Sequence, residues 1–411
     1  MLASAPPFPP LGGTPMRTYQ LLRHLARRHQ VSLLAYDEPN TAEAAAALGR
    51  LGVALEVVAA MRPQGRAKRR LQLATVFSPV SYQHRSLYSA AMQHAIARRL
   101  ARNDVDLVLV ERSQMSGFAF GSHAALVLNE HNLEYEALYR AFTTERSVAR
   151  KLYNLIEYVK FRRAERAAWA RFDGCVITSE RERAVIAAHL PRKPTAAVLN
   201  GVDLEHFQPS TAPADPSTIL FTGSIDYRPN TDAVLSFARE IFPQVLRARP
   251  DATLMVVGMR PPPEITALAG PNVVITGSVP DVRPYLRRAT VVVAPLRMGS
   301  GTRLKLLEAM AMGKAVVSTA LGAEGLAVER GTHLLVADAP AAFAADVVRL
   351  LADPRLAASL GRAGRDLVER EYGWTVAGDR LDEFLVRLVE SRRGVSPAVV
   401  QRPAASSSGF V

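Results

Sequence analysis

Short apolar runs alternate with amphipathic stretches along nearly the whole chain. The runs are close to continuous in hydrophobic character, which is typical of parallel strands covered on both faces. Amphipathic helical periodicity fills the intervals, as at 16–29 and 89–102. This alternation predicts two successive doubly wound α/β units. The predicted strands lie at 31–36, 53–59, 106–111, 125–130 and 174–179, and then at 217–223, 252–258, 272–277, 290–295 and 315–319.

A polar, proline-bearing stretch at 206–217 separates the two sets of strands. We therefore predict an N-terminal domain over 1–205, a second domain over 206–374, a crossover helix at 375–395 and a disordered tail at 396–411. Only residues 2–5 precede a proline loop where a full first strand is expected. An upstream start of the chain is favoured over a very short first strand.

The stretch 148–172 is predicted to form one long helix, with apolar side chains on one side and arginines on the other. We interpret it as a helix covering the sheet, with a membrane-contacting face as the alternative.

Composition sets outer limits on structure and location. The 411 residues are 48% hydrophobic, enough for two ordinary cores. Cys175 is the only cysteine, which excludes a disulfide framework, and its apolar surroundings favour a core position over a nucleophile. No apolar run has the length of a membrane helix, and no leader pattern is visible, so we expect the protein in the cytoplasm.

The formal net charge is +13, and much of the basic charge lies in the first half. Such charge fits nucleic acid, anionic lipid, a phosphorylated substrate or a merely solvated face. Nucleic acid is the least favoured, because the basic segments lack interleaved aromatic residues. His24, His29, His84 and His94 lie among basic helical residues and are predicted at the surface. The basic segments are 23–29, 62–70, 97–102 and 146–171.

The most informative segment is MGSGTRLKLLEAMAMG at 298–313, where a strand runs through a glycine turn into a helix. Backbone N–H groups at a helix start favour anions. Arg303 and Lys305 add positive charge, and Glu308 offers a carboxylate to a pair of hydroxyls. A site for phosphates beside a site for a diol predicts a bound nucleotide diphosphate.

Two features of the first half are candidates for the other side of a site. Gly12 and Gly13 allow close approach of the backbone to a ligand, although a plain strand-to-helix turn is the alternative and no dinucleotide fingerprint is present. His131 follows a buried strand at its carboxyl end, where α/β sheets open onto ligands. Its alternative role is to cap the following helix.

Taken together, the chain resembles the retaining glycosyltransferases of family 4, within a subgroup found in bacterial polysaccharide and exopolysaccharide biosynthesis. The resemblance implies the GT-B architecture: two Rossmann-like domains facing a cleft, with the C-terminal helix returning to the N-terminal domain. The motifs that carry it are PPLGGTPMRTYQLLRHL (9–25), LNEHNLE (128–134), NGVD (200–203), ILFTGSIDYRPNTDAV (219–234), GSGTRLKLLEAMAMGKAVVST (299–319) and GAEG with HLLVAD (322–338).

The resemblance also assigns roles to individual residues. Glu308 matches the second glutamate of the family's E-x7-E motif, which binds the ribose, whereas Ser300 replaces the first. The usual arginine and lysine after the first strand of the second domain are replaced by Ser224 and Asn230. We expect Arg303 and Lys305 to supply the missing charge, with His131 as the catalytic residue and Gly12 and Gly13 as the acceptor-side loop. The donor-binding prediction comprises Gly13, Gly223, Arg228, Val279, Ser300, Gly301, Thr302, Arg303, Lys305 and Glu308.

The implied reaction moves a sugar from a nucleotide diphosphate-sugar to an acceptor hydroxyl, with no metal and no other cofactor. The expected acceptor is a glycan or a polyprenyl-diphosphate-linked saccharide at the inner face of the cytoplasmic membrane. An anionic membrane surface is a further candidate partner, and nucleic acid is not. Two alternatives stay open: a nucleotide-sugar epimerase of the same fold, and a non-catalytic partner protein with this fold.

Overall fold

The computed structural model describes residues 1–10, 12–59, 63–121, 123–210, 212, 214–299 and 304–394. Within them, strands and helices alternate as the apolar pattern predicts. The strands are β1 (Ser32–Tyr36), β2 (Ala54–Val58), β3 (Leu107–Glu111), β4 (Ala125–Asn129), β5 (Gly174–Ile177), β6 (Thr195–Ala197), β7 (Thr218–Thr222), β8 (Thr253–Val257), β9 (Val273–Gly277), β10 (Val291–Ala294), β11 (Ala315–Ser318) and β12 (Leu335–Val336).

The helices lie between these strands and after the last one. A 3-10 turn (Ser113–Met115) follows β3, and a π-helical segment (Phe237–Ile241) joins α9 to α10. The α-helices are α1 (Gly13–Leu25), α2 (Thr41–Gly49), α3 (Gly65–Val76), α4 (Tyr82–Leu87), α5 (Ala90–Leu100), α6 (Glu134–Thr144), α7 (Val148–Arg171), α8 (Glu180–His189), α9 (Arg228–Ser236), α10 (Phe242–Ala248), α11 (Pro263–Thr266), α12 (Arg283–Arg288), α13 (Leu304–Ala311), α14 (Pro340–Ala352), α15 (Pro354–Glu371) and α16 (Trp374–Arg392).

The N-terminal strands form parallel pairs in two groups, β1 with β2 and β3 through β6. Leu2 pairs in parallel with both Leu34 of β1 and Val110 of β3, so it joins the two groups into one sheet. From Leu2 the chain turns to one side for β1 and returns to the other side for β3. This reversal of strand order is the place where α/β sheets open a ligand crevice.

The second sheet is parallel throughout, in the order β12-β11-β10-β7-β8-β9. Its strand order reverses between β7 and β10. The helices that follow these two strands are α9 and α13, and α13 carries Lys305 and Glu308. Lys305 and Glu308 therefore lie on a helix that follows one of the two strands at the crevice of this sheet.

Both sheets bury apolar side chains on both faces, as the continuous hydrophobic runs predict. Cys175 of β5 is fully buried beside Leu128 and Trp169, and burial raises the pKa of its thiol to about 12. Its predicted core role is confirmed. The opposite face of the same sheet packs Val127 and Val176 against Leu381 of α16.

The return of α16 to the N-terminal sheet confirms the predicted path of the C-terminal helix. A Cβ atom on Gly378 would lie 2.2 Å from Cγ of His24. The imidazole of α1 therefore packs on α16 where a glycine leaves room for it. His24 Nε2 lies 3.1 Å from Asp379, and Arg28 donates to Asp382 over 2.8 Å. These contacts fix α16 across the first domain.

Some predictions need correction. His24 and His84 are buried, not at the surface. His24 packs under α16, whereas His84 Nε2 donates to the Ser113 carbonyl over 3.0 Å and its Nδ1 lies 2.8 Å from Ser81 Oγ. His29 and His94 are exposed as predicted. The second half of α7 buries Phe161 and Trp169, which confirms a covering helix there.

The domain boundaries stay predictions, and the predicted tail at 396–411 lies outside the described residues. In the described part of the chain, no helix combines the length and apolarity needed to cross a bilayer.

Candidate functional site

The N-terminal side of the site lies at the carboxyl edge of the first sheet. Side chains alternate along β4 and the residues after it, so Asn129 and His131 point to one face and Glu130 to the other. Asn129 is the register partner of Glu111 at the end of β3, and its Nδ2 donates to both Glu111 oxygens over 3.0 and 3.2 Å. His131 Nε2 lies 2.7 Å from Glu111 Oε2. Glu111 and His131 are 2% and 6% exposed, so water barely competes for this pair.

The ionisation of the pair fixes the tautomer of His131. Burial alone would raise the pKa of Glu111, but hydrogen bonds from His131 and Asn129 and the nearby Arg17 charge bring it below its ordinary value. Burial lowers the pKa of His131, and the contact with Glu111 only partly offsets this. An ionised carboxylate can only accept, so Nε2 carries the proton and donates. The buried Nδ1 atom is then an acceptor, and among the described residues it has no hydrogen-bond partner.

Helix α1 completes this cluster from the other side of the crevice. Arg17 is buried and donates to Asn129 Oδ1 over 3.1 Å, to the Val198 carbonyl over 2.8 Å and to Asn200 Oδ1 over 3.1 Å. Burial lowers its pKa to about 10, so it remains a cation at neutral pH. Thr18 donates to Glu111 Oε2 over 3.1 Å. The second turn of α1 is thereby tied to the carboxylate that holds His131.

The predicted glycine loop opens this helix. Gly12 precedes α1 with a φ of 85°, a conformation that other residues rarely adopt. Gly12 and Gly13 are exposed, and a Cβ atom on either would meet no heavy atom within 4 Å among the described residues. The space beside these two glycines is therefore open among the described residues, as close approach of a ligand to the backbone requires.

The opposite face of the β4 end holds a second group of buried acids. Glu130 accepts from Trp169 Nε1 over 3.1 Å and from the Ser113 N–H over 3.1 Å. Glu165 of α7 accepts from Ser113 Oγ over 2.9 Å and from the Glu134 N–H over 3.0 Å. Burial raises the pKa of Glu130 to about 8 and that of Glu165 in the same direction. These contacts hold the start of α6 at Glu134. The N-cap residue of this helix is Leu133, with no side-chain cap, so His131 does not cap it.

The C-terminal side of the site is centred on Lys305. Its Nζ lies 2.8 Å from Asn230 Oδ1 and 3.9 Å from the centroid of the Phe221 ring. Asn230 in turn donates to the Ser224 carbonyl over 2.8 Å. A Cβ atom on Gly223 would lie 3.0 Å from Nζ and 2.9 Å from Asn230 Nδ2. The lysine of α13 thus reaches across to the end of β7 and places its charge beside the Gly223 backbone.

Glu308 follows Lys305 on the same helix and is half-buried. Burial raises its pKa to about 7, and the positive charge of Lys305 offsets part of that rise. Arg228 is exposed at the first position of α9, and Val279 is half-buried in the loop after β9. Ser300, Gly301, Thr302 and Arg303 lie outside the described residues, so the structure does not test their predicted role.

A cation from the first domain reaches the second across the crevice. Arg140 of α6 donates to the Gly299 carbonyl over 2.5 Å and to both oxygens of Glu324 over 3.2 Å. Gly299 lies in the segment after β10, and Glu324 in the segment after β11. The carboxyl edges of the two sheets are therefore held on either side of one cleft.

Comparisons with known proteins agree with this geometry. Residues 11–206 match the model described as Glycosyltransferase Family 4, and residues 216–353 match the one described as Glycosyl transferases group 1. The chain belongs to glycosyltransferase family 4. A GDP-mannose-dependent monoacylated alpha-(1-6)-phosphatidylinositol monomannoside mannosyltransferase of Corynebacterium glutamicum is 30% identical over 207 residues, covering 45% of this chain and 54% of that protein. The chain spans about half the length of the first curated relatives that it matches.

Solved structures of similar fold extend over nearly the full chain. Sucrose-phosphate synthase from Thermosynechococcus elongatus has a TM-score of 0.69 at 18% identity, covering 95% of this chain and 98% of that one. Anabaena Alr3699/HepE, solved in complex with UDP-glucose, has a TM-score of 0.64 at 14% identity, covering 94% and 98%. These likenesses concern the fold, and they confirm the predicted GT-B architecture.

This family 4 chain departs from the family pattern where the structure is most informative. Asn230 stands at the position predicted to lack the family's lysine, and its side chain is the hydrogen-bond partner of Lys305. Lys305 of α13 thus places a cation at the end of β7, although the family's lysine would lie on α9. Sequence reasoning identified Lys305 as a compensating charge but gave no contact between the two residues.

Other residues of the candidate site were missed from the sequence. Glu111 had a visible signal, since an acid ends an otherwise apolar strand, as His131 follows one. Arg17 had none, because it lies among the polar positions of an amphipathic helix. Arg140 had none either, since its partners are more than 150 residues away along the chain.

A separate cavity lies at the opposite, amino edge of the first sheet. Its volume is about 760 Å³, and Ser32, Ala54 and Leu107 are among its lining residues. It contains none of the predicted site residues. Open α/β sheets bind their ligands at the carboxyl ends of the strands, so we place the candidate site in the cleft and not in this cavity.

Proposed function

We propose that this family 4 protein transfers a sugar from a nucleotide diphosphate-sugar to an acceptor hydroxyl, with retention of anomeric configuration. The observation that carries the proposal is the position of Lys305 Nζ beside Gly223, with Glu308 on the same helix. The Lys305 ammonium can bind a diphosphate, and the Glu308 carboxylate can accept hydrogen bonds from the two hydroxyls of a ribose. The donor set predicted from the sequence, which includes Gly13, Arg228, Val279 and the segment 300–303, is part of this proposal.

The proposed chemistry breaks the bond from the anomeric carbon to the diphosphate oxygen and forms a bond to the acceptor oxygen. The acceptor proton passes to the departing diphosphate, whose oxygen is the base. No metal takes part in this scheme, because side-chain cations stabilise the leaving group. His131 contributes through Nδ1, which accepts a hydrogen bond from a hydroxyl of the transferred sugar as positive charge develops at the anomeric centre.

The proposed acceptor is a glycan or a polyprenyl-diphosphate-linked saccharide, and an anionic membrane surface is the proposed third partner. The basic charge of the first half of the chain supports this, with the Corynebacterium relative named for a glycolipid acceptor as a further support. The proposed location is the cytoplasm, with peripheral contact to the inner face of the membrane.

The test begins with thermal melting of the full chain in the presence of UDP-, GDP- and ADP-sugars. A ligand that binds only the folded state raises the melting temperature. The stabilising donor is then incubated with radiolabelled sugar and lipid-linked acceptors, and Glu308→Ala is the matched variant. Transfer by the wild type that is lost in Glu308→Ala supports the proposal. Stabilisation by none of the donors, or sugar epimerisation without an acceptor, contradicts it.

A further inference from the structure

Helix α3 carries a concentrated positive charge on the outside of the first domain. Arg66, Lys68, Arg69 and Arg70 are all exposed, and the helix contains no acidic residue to neutralise them. Four cations within five positions raise the local potential well above that of an evenly charged surface. This segment lies outside the residues assigned to the donor and to catalysis.

The carboxyl end of the same helix exposes large apolar side chains. Phe77, directly after α3, is 94% exposed, and Leu73 is 69% exposed. They are four positions apart, so they lie on one side of the helix, in line with Arg66 and Arg70. Val80, just beyond, is 43% exposed. An exposed phenylalanine next to an exposed leucine is a feature of surfaces that are covered in use.

The outward direction of these side chains is fixed by contacts on the opposite side of the helix. Thr75 is buried, and Lys160 of α7 donates to the Thr75 carbonyl and, over 2.9 Å, to the Val76 carbonyl. The Tyr82 N–H, at the start of the next helix, donates to Glu157 of α7 over 2.8 Å. With this inner side held on α7, α3 cannot rotate to bury Leu73 and Phe77 in its own domain.

We infer that the α3 patch, comprising Arg66, Lys68, Arg69, Arg70, Leu73 and Phe77, docks the protein on an anionic lipid bilayer. Cations beside protruding apolar side chains match anionic headgroups above an acyl layer. A second copy of the chain is a poor occupant, because a two-fold contact would bring the cations of both patches together. The inference rests on the proposed function for the identity of the lipid-linked acceptor but not for the docking itself.

Vesicle co-sedimentation of the full chain tests the docking without donor or acceptor. We expect binding to vesicles of phosphatidylcholine with phosphatidylglycerol, and weaker binding to phosphatidylcholine alone or at high salt. Leu73→Ser/Phe77→Ser should lower the partition coefficient by roughly 10- to 100-fold. Arg69→Gln/Arg70→Gln should lower it by roughly fivefold for each charge removed.

Matched controls come from the second domain. Val274→Ser removes an apolar side chain that is 42% exposed on β9, and Arg355→Gln/Arg362→Gln removes two exposed cations of α15. Both controls should leave vesicle binding unchanged. Equal losses in the controls and the α3 variants, or equal binding to neutral vesicles, would overturn the inference. So would a dimer in sedimentation velocity that Leu73→Ser/Phe77→Ser converts to monomer.

The outcomes for docking and for transfer can be separated. If the proposed transfer fails but the α3 variants alone lose vesicle binding, the docking inference stands without the proposed function. If transfer to a soluble acceptor is retained in the α3 variants while vesicle binding is unchanged, the proposed function stands and the docking inference fails. Melting temperatures within the wild-type range would show that the variants are folded.

Discussion

The contact between Lys305 and Asn230 leads to a test by exchange of side chains. In Lys305→Asn the ammonium that lies 2.8 Å from Asn230 Oδ1 is lost, and with it the proposed charge at the diphosphate. A charge-assisted hydrogen bond contributes about 1.5–3 kcal/mol, which corresponds to roughly 10- to 150-fold in affinity. We expect donor binding to weaken within that range. Asn230→Lys/Lys305→Asn returns a cation to the same end of β7, so it should recover about tenfold of the loss.

Isothermal titration calorimetry with the nucleoside diphosphate and the matching monophosphate measures how much affinity the second phosphate contributes in each variant. If Lys305 binds the diphosphate, Lys305→Asn should weaken the diphosphate far more than the monophosphate. Lys305 also lies over the Phe221 ring, so melting temperatures are needed to separate a loss of folding from a loss of binding. Equal weakening of both nucleotides, or no recovery in the exchanged variant, would refute the assignment of Lys305 to the diphosphate.

Three further predictions concern other parts of the cleft. Because the pKa of Glu308 is about 7 and its ionised form suits the diol, donor affinity should rise by up to about tenfold from about pH 6 to about pH 8, and Glu308→Gln should flatten this titration. Glu111→Gln removes the charge that raises the pKa of His131, so the acid limb of the pH–rate profile should move to lower pH, with kcat reduced and partly restored in Glu111→Asp. Arg140→Ala loses the contacts with Gly299 and Glu324 and should lower kcat/KM by roughly 5- to 30-fold in steady-state assays, whereas an unchanged value would exclude a role for this contact.

The fold was predictable because its information is local. Strands buried on both faces need continuous apolar runs, and all the predicted strands are present in the described structure. The strands β6 and β12 were missed, since three and two residues are too few for a periodic signal. The burial of His24 was also missed. It depends on Gly378, which is more than 350 residues away along the chain and leaves the space that the imidazole fills.

The two sides of the candidate site also differ in how far their geometry depends on residues distant in the sequence. The relative placement of Lys305 and Glu308 was predictable, because both lie on one helix and their spacing in the sequence fixes their spacing in space. On the other side, His131 was predictable from its strand end, but its environment was not. Glu111, Asn129 and Arg17 come from two strands and a helix, and only their convergence makes His131 an acceptor.

That convergence explains why the His131 cluster can be polar and still buried. The Glu111 carboxylate accepts hydrogen bonds from Thr18, Asn129 and His131 Nε2. The Nδ1 atom of His131 is the acceptor for which the described residues supply no donor. A buried acceptor without a partner costs about 1–3 kcal/mol, a cost that a ligand removes when it supplies the donor. A sugar hydroxyl in the cleft is such a donor, and its arrival would remove this cost. Under the proposed function, the Nδ1 atom of His131, unpaired among the described residues, would therefore link the stability of the first domain to the binding of the transferred sugar.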